Sequence, residues 1–428
     1  MPIFYDLIYL AIGIIYLPVF LWRKKLHRHF SQRLGLLPAG LKVQASVWIH
    51  AVSVGEVISI RGLLEELKKA YPEKNFVIST VTPTGNRIAR NITANRDLVI
   101  YLPLDLSFIV ERVVSIIKPS LFILVETELW PNLIRSLYLR GVPIAIVNAR
   151  ISDASFKRYL CVRFLLKGML GKISLFCAQT TRDAERLRRL GAPKNRIRIT
   201  GNMKFDISGA AALKKAPEDL RLKLGINPKE KLFVAGSTHP QEEEAVLAAY
   251  EKLSGIFKDL RLLIAPRHPE RALRVESLIR LKGFDAIRVS KLAEKPAAGI
   301  DKKPVFILDT VGELLYFYNI ADIVFVGGSL IKKGGHNILE PAILGKPILF
   351  GPHMFNFRDI AALFLEQDAA VMVKDQEQLY LKVKDLLDNP SKAELLSQKA
   401  GGLLTANQGA TAKNLEAIKD LCRNTSTI

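Results

Sequence analysis

The 428-residue sequence predicts an α/β protein built as two doubly wound, Rossmann-like halves. Three observations carry that expectation. Short apolar runs alternate with longer amphipathic segments along the chain, polar loops follow the runs, and a small, charged, proline-containing stretch from Ser208 to Asp219 divides the rhythm in two. Continuous apolar runs are what parallel strands buried on both faces require, and the amphipathic segments between them supply the crossover helices.

In chain order, the first feature is a twenty-residue stretch, Ile3 to Trp22, whose one charge is Asp6; Arg23, Lys24, Lys25, Arg28 and Arg33 follow it. As a helix it would cover roughly 30 Å. A cleaved signal would carry its positive charge before the apolar run, so residues 1–24 are expected to form an uncleaved membrane-anchor helix. This leaves the body on the cytoplasmic side of the membrane, with Tyr5, Tyr9, Tyr16 and Trp22 at the interface. Spanning and interfacial placements both remain open, and a buried amphipathic helix of the first domain is the structural alternative.

Residues 25–207 form the first predicted domain. Ser46–His50 reads as a strand and Val57–Ala70 as a helix with its apolar face on Val57, Ile60, Leu63, Leu64 and Leu67. Further strands are expected at 75–80, 98–102, 121–125, 143–148, 175–178 and 196–200. Residues 208–217 are the expected linker and hinge, and 218–428 the second domain, with a strand then loop over 231–239 leading into a glutamate-rich helix from Gln241, strands at 261–265, 305–309, 323–326 and 347–350, and a helical C-terminal segment. Carboxylate-bearing loops belong to the first half, and loops rich in glycine, arginine and histidine to the second. The expected arrangement is a cleft, with the acceptor on one half and a nucleotide on the other.

Composition narrows the partners. With 62 Lys and Arg against 41 Asp and Glu the formal charge is +21, which implies a polyanionic partner. The basic residues are spread over both halves rather than gathered in a stripe with aromatic partners, which argues against nucleic acid. Cys161, Cys177 and Cys422 are too few and too scattered for a disulfide framework or structural zinc, and seven dispersed histidines suggest no metal site.

Two stretches carry chemistry. Between the first strand and helix lies Ala51-Val-Ser-Val-Gly-Glu56. By position alone Glu56 reads first as a charge complementing the helix dipole, and second as a general base that the same dipole keeps ionised. From Val324 to Ala342 the chain reads strand, glycine-rich loop, helix: Gly327-Gly328 and Gly334-Gly335 are followed by His336 and by a helix expected to start at Asn337. Such a loop suits a phosphate, although a pair of tight turns would read the same way.

Taken together and in order, several strings resemble the bacterial Kdo (3-deoxy-D-manno-octulosonic acid) transferases of lipopolysaccharide biosynthesis. They are His50-Ala-Val-Ser-Val-Gly-Glu56, Glu126-Thr-Glu-Leu-Trp-Pro-Asn132, Gly201-Asn-Met-Lys-Phe-Asp206, Pro266-Arg-His-Pro-Glu270, Gly312-Glu-Leu314, Gly327 through Glu340, and Gly351-Pro-His353 with Asn356-Phe357. The resemblance implies a GT-B fold and metal-independent, inverting transfer from CMP-Kdo to a lipid A precursor (lipid IVA) at the cytoplasmic leaflet, with no cofactor. It implies that Glu56 is the base, reversing the order of the two readings above, and that Glu126 and Lys204 support the transition state. Lys204 would offset the phosphate of the departing CMP or hold the Kdo carboxylate. Glu126 would orient Lys204 or face the developing cation, with Glu128 as a structural rival. Pro266, Arg267, Gly312, Glu313, Leu314, Asn337, Ile338, Leu339 and Glu340 become the CMP-binding set, with Glu340 accepting from ribose hydroxyls. The alternatives are another GT-B cell-envelope glycosyltransferase or a nucleotide-sugar epimerase.

Overall fold

A computed structural model describes residues 2–22, 30–37, 45–93, 97–206, 220–292 and 304–425. The expected linker, 208–217, lies outside them. The chain divides into two compact units: Met1–Ser208 together with Asn407–Ile428, and Gly209–Ala406.

In the first unit, β1 (Ser46–His50), β2 (Phe76–Thr80), β3 (Leu98–Tyr101), β4 (Pro119–Val125), β5 (Ile144–Ala149), β6 (Leu175–Ala178) and β7 (Ile197–Ile199) form one sheet in the order β3-β2-β1-β4-β5-β6-β7. Every pairing is parallel. The pleat explains the apolar runs. In β4, Phe122 and Leu124 enter one core with Trp48 and Ile146, while Leu121, Ile123 and Val125 enter the other with Val47 and Val147. Both faces are dry, so polar groups are driven to the strand ends.

The second unit repeats the design. Its strands are β8 (Lys231–Thr238), β9 (Leu260–Pro266), β10 (Ala286–Arg288), β11 (Val305–Ile307), β12 (Ile323–Val326), β13 (Ile348–Phe350) and β14 (Val371–Met372), in the order β10-β11-β9-β8-β12-β13-β14, again all parallel. The sequence reading misses β10 and β14, which are edge strands of three and two residues with too short an apolar signal.

The helix expected at 57–70 is two, Val54–Ser59 and Arg61–Ala70, broken at Ile60. It starts earlier because Ser53 caps it, and all five predicted apolar positions are buried. The N-terminal segment forms a helix, Pro2–Trp22. Its one charge is a latch: Asp6 accepts hydrogen bonds from the Ser107 amide at 3.1 Å, the Ser107 hydroxyl at 2.5 Å and the Asn132 side chain at 2.7 Å. Tyr5 and Tyr9 were expected at a membrane interface, but they turn inward, Tyr5 donating its hydroxyl to Asp105. Phe4, Leu7, Ile14 and Ile15 are exposed instead. Among the described residues no helix is long and apolar enough to cross a membrane.

The C-terminal boundary also differs from the sequence reading, which assigns 218–428 to one domain. The last helix, Ala410–Thr425, belongs to the first unit, where Ala410, Ala417, Ile418 and Cys422 join the core of Val47, Ile49 and Leu67. Asp206 holds the helix start by accepting from the Gly409 amide at 2.7 Å and from the Thr411 amide. Composition cannot signal such a return, because the helix is amphipathic wherever it docks. Ile418→Ala, at a site with no solvent exposure, should therefore destabilise the first unit by about 2–5 kcal/mol. Calorimetry should show that unit's transition shifting down, and an unshifted transition would contradict the packing.

Candidate active site

In the first unit the strand order turns at β1, which has β2 on one side and β4 on the other. In open parallel sheets the carboxyl ends at such a reversal form the ligand crevice. Glu56 follows β1 and Glu126 follows β4. Each is placed by its local backbone.

Glu56 lies in the first turn of Val54–Ser59 and closes a reciprocal cap. The Ser53 hydroxyl donates to Glu56 Oε1 at 2.8 Å, the Val52 amide donates to Oε2 at 2.8 Å, and the Glu56 amide donates back to Ser53 Oγ at 3.4 Å. The side chain is 7% exposed. Burial, reinforced by the negative charge of Glu126, pushes its carboxyl up to about 7, against the pull of the Val52 and Ser53 hydrogen bonds. The dipole argument in the sequence reading pointed the other way; desolvation is the larger effect.

Glu126 has a left-handed backbone (φ 58°), so its side chain leaves the sheet edge instead of continuing the pleat. Lys204 Nζ donates to Glu126 Oε1 at 3.0 Å. Lys204 sits on the single turn Met203–Phe205, capped by Asn202 Oδ1 at 2.9 Å and held to β5 by the Met203 amide on Asn148 Oδ1 at 3.1 Å. Three residues far apart in sequence thus meet at one edge, and the ion pair ties Lys204 to Glu126. Glu128 is also raised, by burial and by Glu126, but nothing pairs it with Lys204. His50, in the same motif, is structural: its Nδ1 bonds the Ser79 carbonyl at 3.0 Å, and burial pushes it down to about 3.

In the second unit, Pro266 ends β9 and the Arg267 amide donates to the Thr238 carbonyl at 2.8 Å. Gly312 takes φ 90° and Glu313 immediately precedes the helix Leu314–Ile320, which packs on the helix Leu339–Ile343. Asn337 Nδ2 donates to Glu340 Oε1 at 3.2 Å. Burial pushes the Glu340 carboxyl up to about 7, opposed by Asn337 and by the charge of Arg267. Arg267, Asn337, Ile338, Leu339 and Glu340 therefore share one neighbourhood, and the Gly312–Leu314 turn reaches its flank.

The glycine-rich loop departs from its expected use. The amides of Gly328 (2.6 Å), Ser329 and Leu330 (both 2.9 Å), joined by that of His239 (3.1 Å), all donate to the Glu242 carboxylate, which has no solvent exposure. An internal carboxyl group occupies the cradle that the sequence reading offers to a phosphate. The helix is shorter and later than expected, beginning at Leu339 after Ile338 rather than at Asn337. The glycines serve close packing: a Cβ on Gly327 would lie 2.6 Å from the Ser237 carbonyl oxygen, and one on Gly328, at φ 67°, 2.9 Å from the His336 ring. Sequence reasoning missed Glu242 and His239. The one available signal was the acidic run Glu242–Glu244 just after a strand, read only as part of a glutamate-rich helix.

Two parallel sheets of this kind, each covered by helices on both faces, are the GT-B architecture, which glycosyltransferases and nucleotide-sugar epimerases share. A UDP-N-acetylglucosamine 2-epimerase crystal structure matches the fold with TM-score 0.55 over 90% of this chain and 97% of that one at 14% identity. A glycosyltransferase from Rickettsia africae matches with TM-score 0.52 over 89% and 99% at 17% identity. The sequence profile described as 3-Deoxy-D-manno-octulosonic-acid transferase (kdotransferase) covers residues 28–207. The 3-deoxy-D-manno-octulosonic acid transferase of Haemophilus influenzae is 37% identical over 87% of this chain and 86% of its own. The chain belongs to the Kdo transferase family.

The raised Glu56 carboxyl has a consequence for stability. Its folded value of about 7 exceeds the unperturbed 4.5, so the folded state binds the extra proton, and stability is lost as pH rises through that window. Glu56→Gln should remove this loss. The melting temperature of the variant, relative to the parent, should rise between about pH 5 and pH 8 by the equivalent of about 1–3 kcal/mol. A constant difference across the range would refute the shift.

Proposed function

We propose that this chain transfers Kdo from CMP-Kdo to a hydroxyl of a lipid A precursor, with inversion and without a metal. The observation that carries the reading is the buried Glu56 beside the Glu126–Lys204 ion pair, in a chain of this family. Glu56 as carboxylate takes the proton of the acceptor hydroxyl while the oxygen attacks the anomeric carbon of Kdo. The bond from that carbon to the CMP phosphate breaks, and its electron pair leaves with CMP. A base with a value near 7 is about half ionised at neutral pH and strong enough to accept the proton, the compromise that general-base catalysis favours. Lys204, held in line by Glu126, supplies positive charge where negative charge develops on the leaving phosphate or rests on the Kdo carboxylate. Pro266, Arg267, Gly312–Leu314 and Asn337–Glu340 bind CMP, with Glu340, oriented by Asn337, accepting from the ribose hydroxyls.

Glu56→Gln should lower transfer by about 10²–10⁴ while CMP binding persists. In the parent enzyme the rate should rise with pH through about 7, as Glu56 ionises. Product mass and CMP release from CMP-Kdo and lipid A precursor in detergent, in the presence of a chelator, measure this. Folded protein with no turnover, or a variant with undiminished turnover, would defeat the assignment.

The acceptor is an amphiphile with phosphates. We infer that the chain meets it at the cytoplasmic leaflet through the exposed face of the N-terminal helix, where Ile14 and Ile15 are 68% and 72% exposed, aided by the +21 charge. Replacing both isoleucines by glutamate should abolish flotation with anionic lipid vesicles and leave activity on detergent-dispersed acceptor intact; undiminished flotation would rule this face out.

A further inference from the structure

The sheet of the second unit reverses its order at β8, which is flanked by β9 and β12. One histidine follows each strand of the β8–β12 pair. His239 comes directly after β8, and His336 closes the loop after β12. Their Nε2 atoms are 3.1 Å apart, and the rings are within 7° of parallel.

A contact of that length between two imidazole nitrogens holds one proton: one Nε2–H donates and the other Nε2 accepts. In the neutral pair, one Nδ1 is then a donor and the other an acceptor. Neither Nδ1 makes a hydrogen bond to the described residues. Addition of a single proton would turn the accepting Nδ1 into a second N–H donor while the Nε2–H···Nε2 bond survives. The pair would then present two donors and a positive charge.

The surroundings keep it neutral until a ligand arrives. His268, Arg267 and Arg271 approach from the segment after β9, and Lys333 from the glycine-rich loop. Burial comes first and pushes both imidazoles down to about 4, helped by His268 and Arg267 at both rings and by Lys333 and Arg271 at His239. The nearby acids are already committed, Glu242 to four backbone amides and Glu243 to Arg271 at 2.6 Å. This edge of the sheet is therefore electropositive, with an uncharged pair at its centre. A ligand that brings negative charge would reverse the balance that disfavours protonation.

We propose that His239 and His336 form a further donor-binding element, which receives an anionic group of the sugar nucleotide, its phosphate or its sugar carboxylate, and takes up one proton from solvent as that group binds. The proposal rests on the assignment of the donor to the second unit. The proton returns to solvent when the nucleotide departs.

Calorimetric titration of the full chain with CMP at about pH 7, in buffers of different ionisation enthalpy, counts the protons exchanged. Close to one proton should be taken up per CMP bound, and none with cytidine, which has no phosphate. Uptake with CMP-Kdo but not with CMP would assign the pair to the sugar carboxylate. His239→Asn and His336→Gln should each abolish the uptake and raise KM for CMP-Kdo about tenfold or more, with kcat changed far less, since hydrogen bonds to charged groups are the stronger ones. Parent-like melting temperatures would show that both variants fold. Binding of CMP and CMP-Kdo without proton uptake would overturn the proposal and leave the donor site standing, as would uptake that persists in both variants, which would point to Glu340. Failure of CMP and CMP-Kdo to bind at all would overturn the donor assignment itself.

Discussion

Both units obey one constraint: a parallel sheet covered by helices on both faces has nowhere to put polar chemistry except its strand ends. The alternation of Phe122 and Leu124 into one core with Leu121, Ile123 and Val125 into the other leaves no polar face on β4. Glu56, Glu126 and Lys204 therefore converge at one edge of the first sheet, although nearly 150 residues separate the first from the last. The same constraint gathers His239, Arg267, Gly312 and His336 on the second sheet. In each unit the strand-order reversal then selects which loops are neighbours.

Within that frame, buried carboxylates do different work according to what faces them. Glu242 has four amide donors that oppose the upward push of its burial, and it organises the glycine-rich loop as an internal carboxyl group in place of a ligand. Glu56 has two donors and an acidic neighbour, so its carboxyl rises to about 7 and it is poised to exchange a proton. Glu340 has one side-chain donor and deep burial, and reaches about 7 by desolvation alone. Asp105 accepts from the amides of Asn132 and Leu133 and is still pushed up to about 6 by burial. Donor count against desolvation decides whether such a group is structural or reactive. Glu56, Glu242 and Glu340, each in a helical first turn, look the same when only their sequence neighbours are known.

The terminal helices show the same dependence on context. The N-terminal helix has the composition of an anchor, yet Asp6, Tyr5 and Tyr9 attach it to the first unit and leave a different set of apolar residues outside. The C-terminal helix follows a long run of second-unit chain and nevertheless completes the core of the first.

What the sequence by itself determined was the architecture: twelve of the fourteen strands among the described residues, both sheets as parallel, the apolar face of Val57 to Leu67, and the motifs that place the chain in its family. These are legible because period, apolar run length and punctuation act over a few residues, and because long motifs in fixed order are specific. Only the tertiary structure decided the ion pair of Lys204 with Glu126, the raised carboxyl of Glu56, the occupation of the glycine-rich cradle by Glu242, the His239–His336 pair and the return of the last helix. Each depends on desolvation or on a contact between residues distant in the chain, and neither quantity is a property of local sequence.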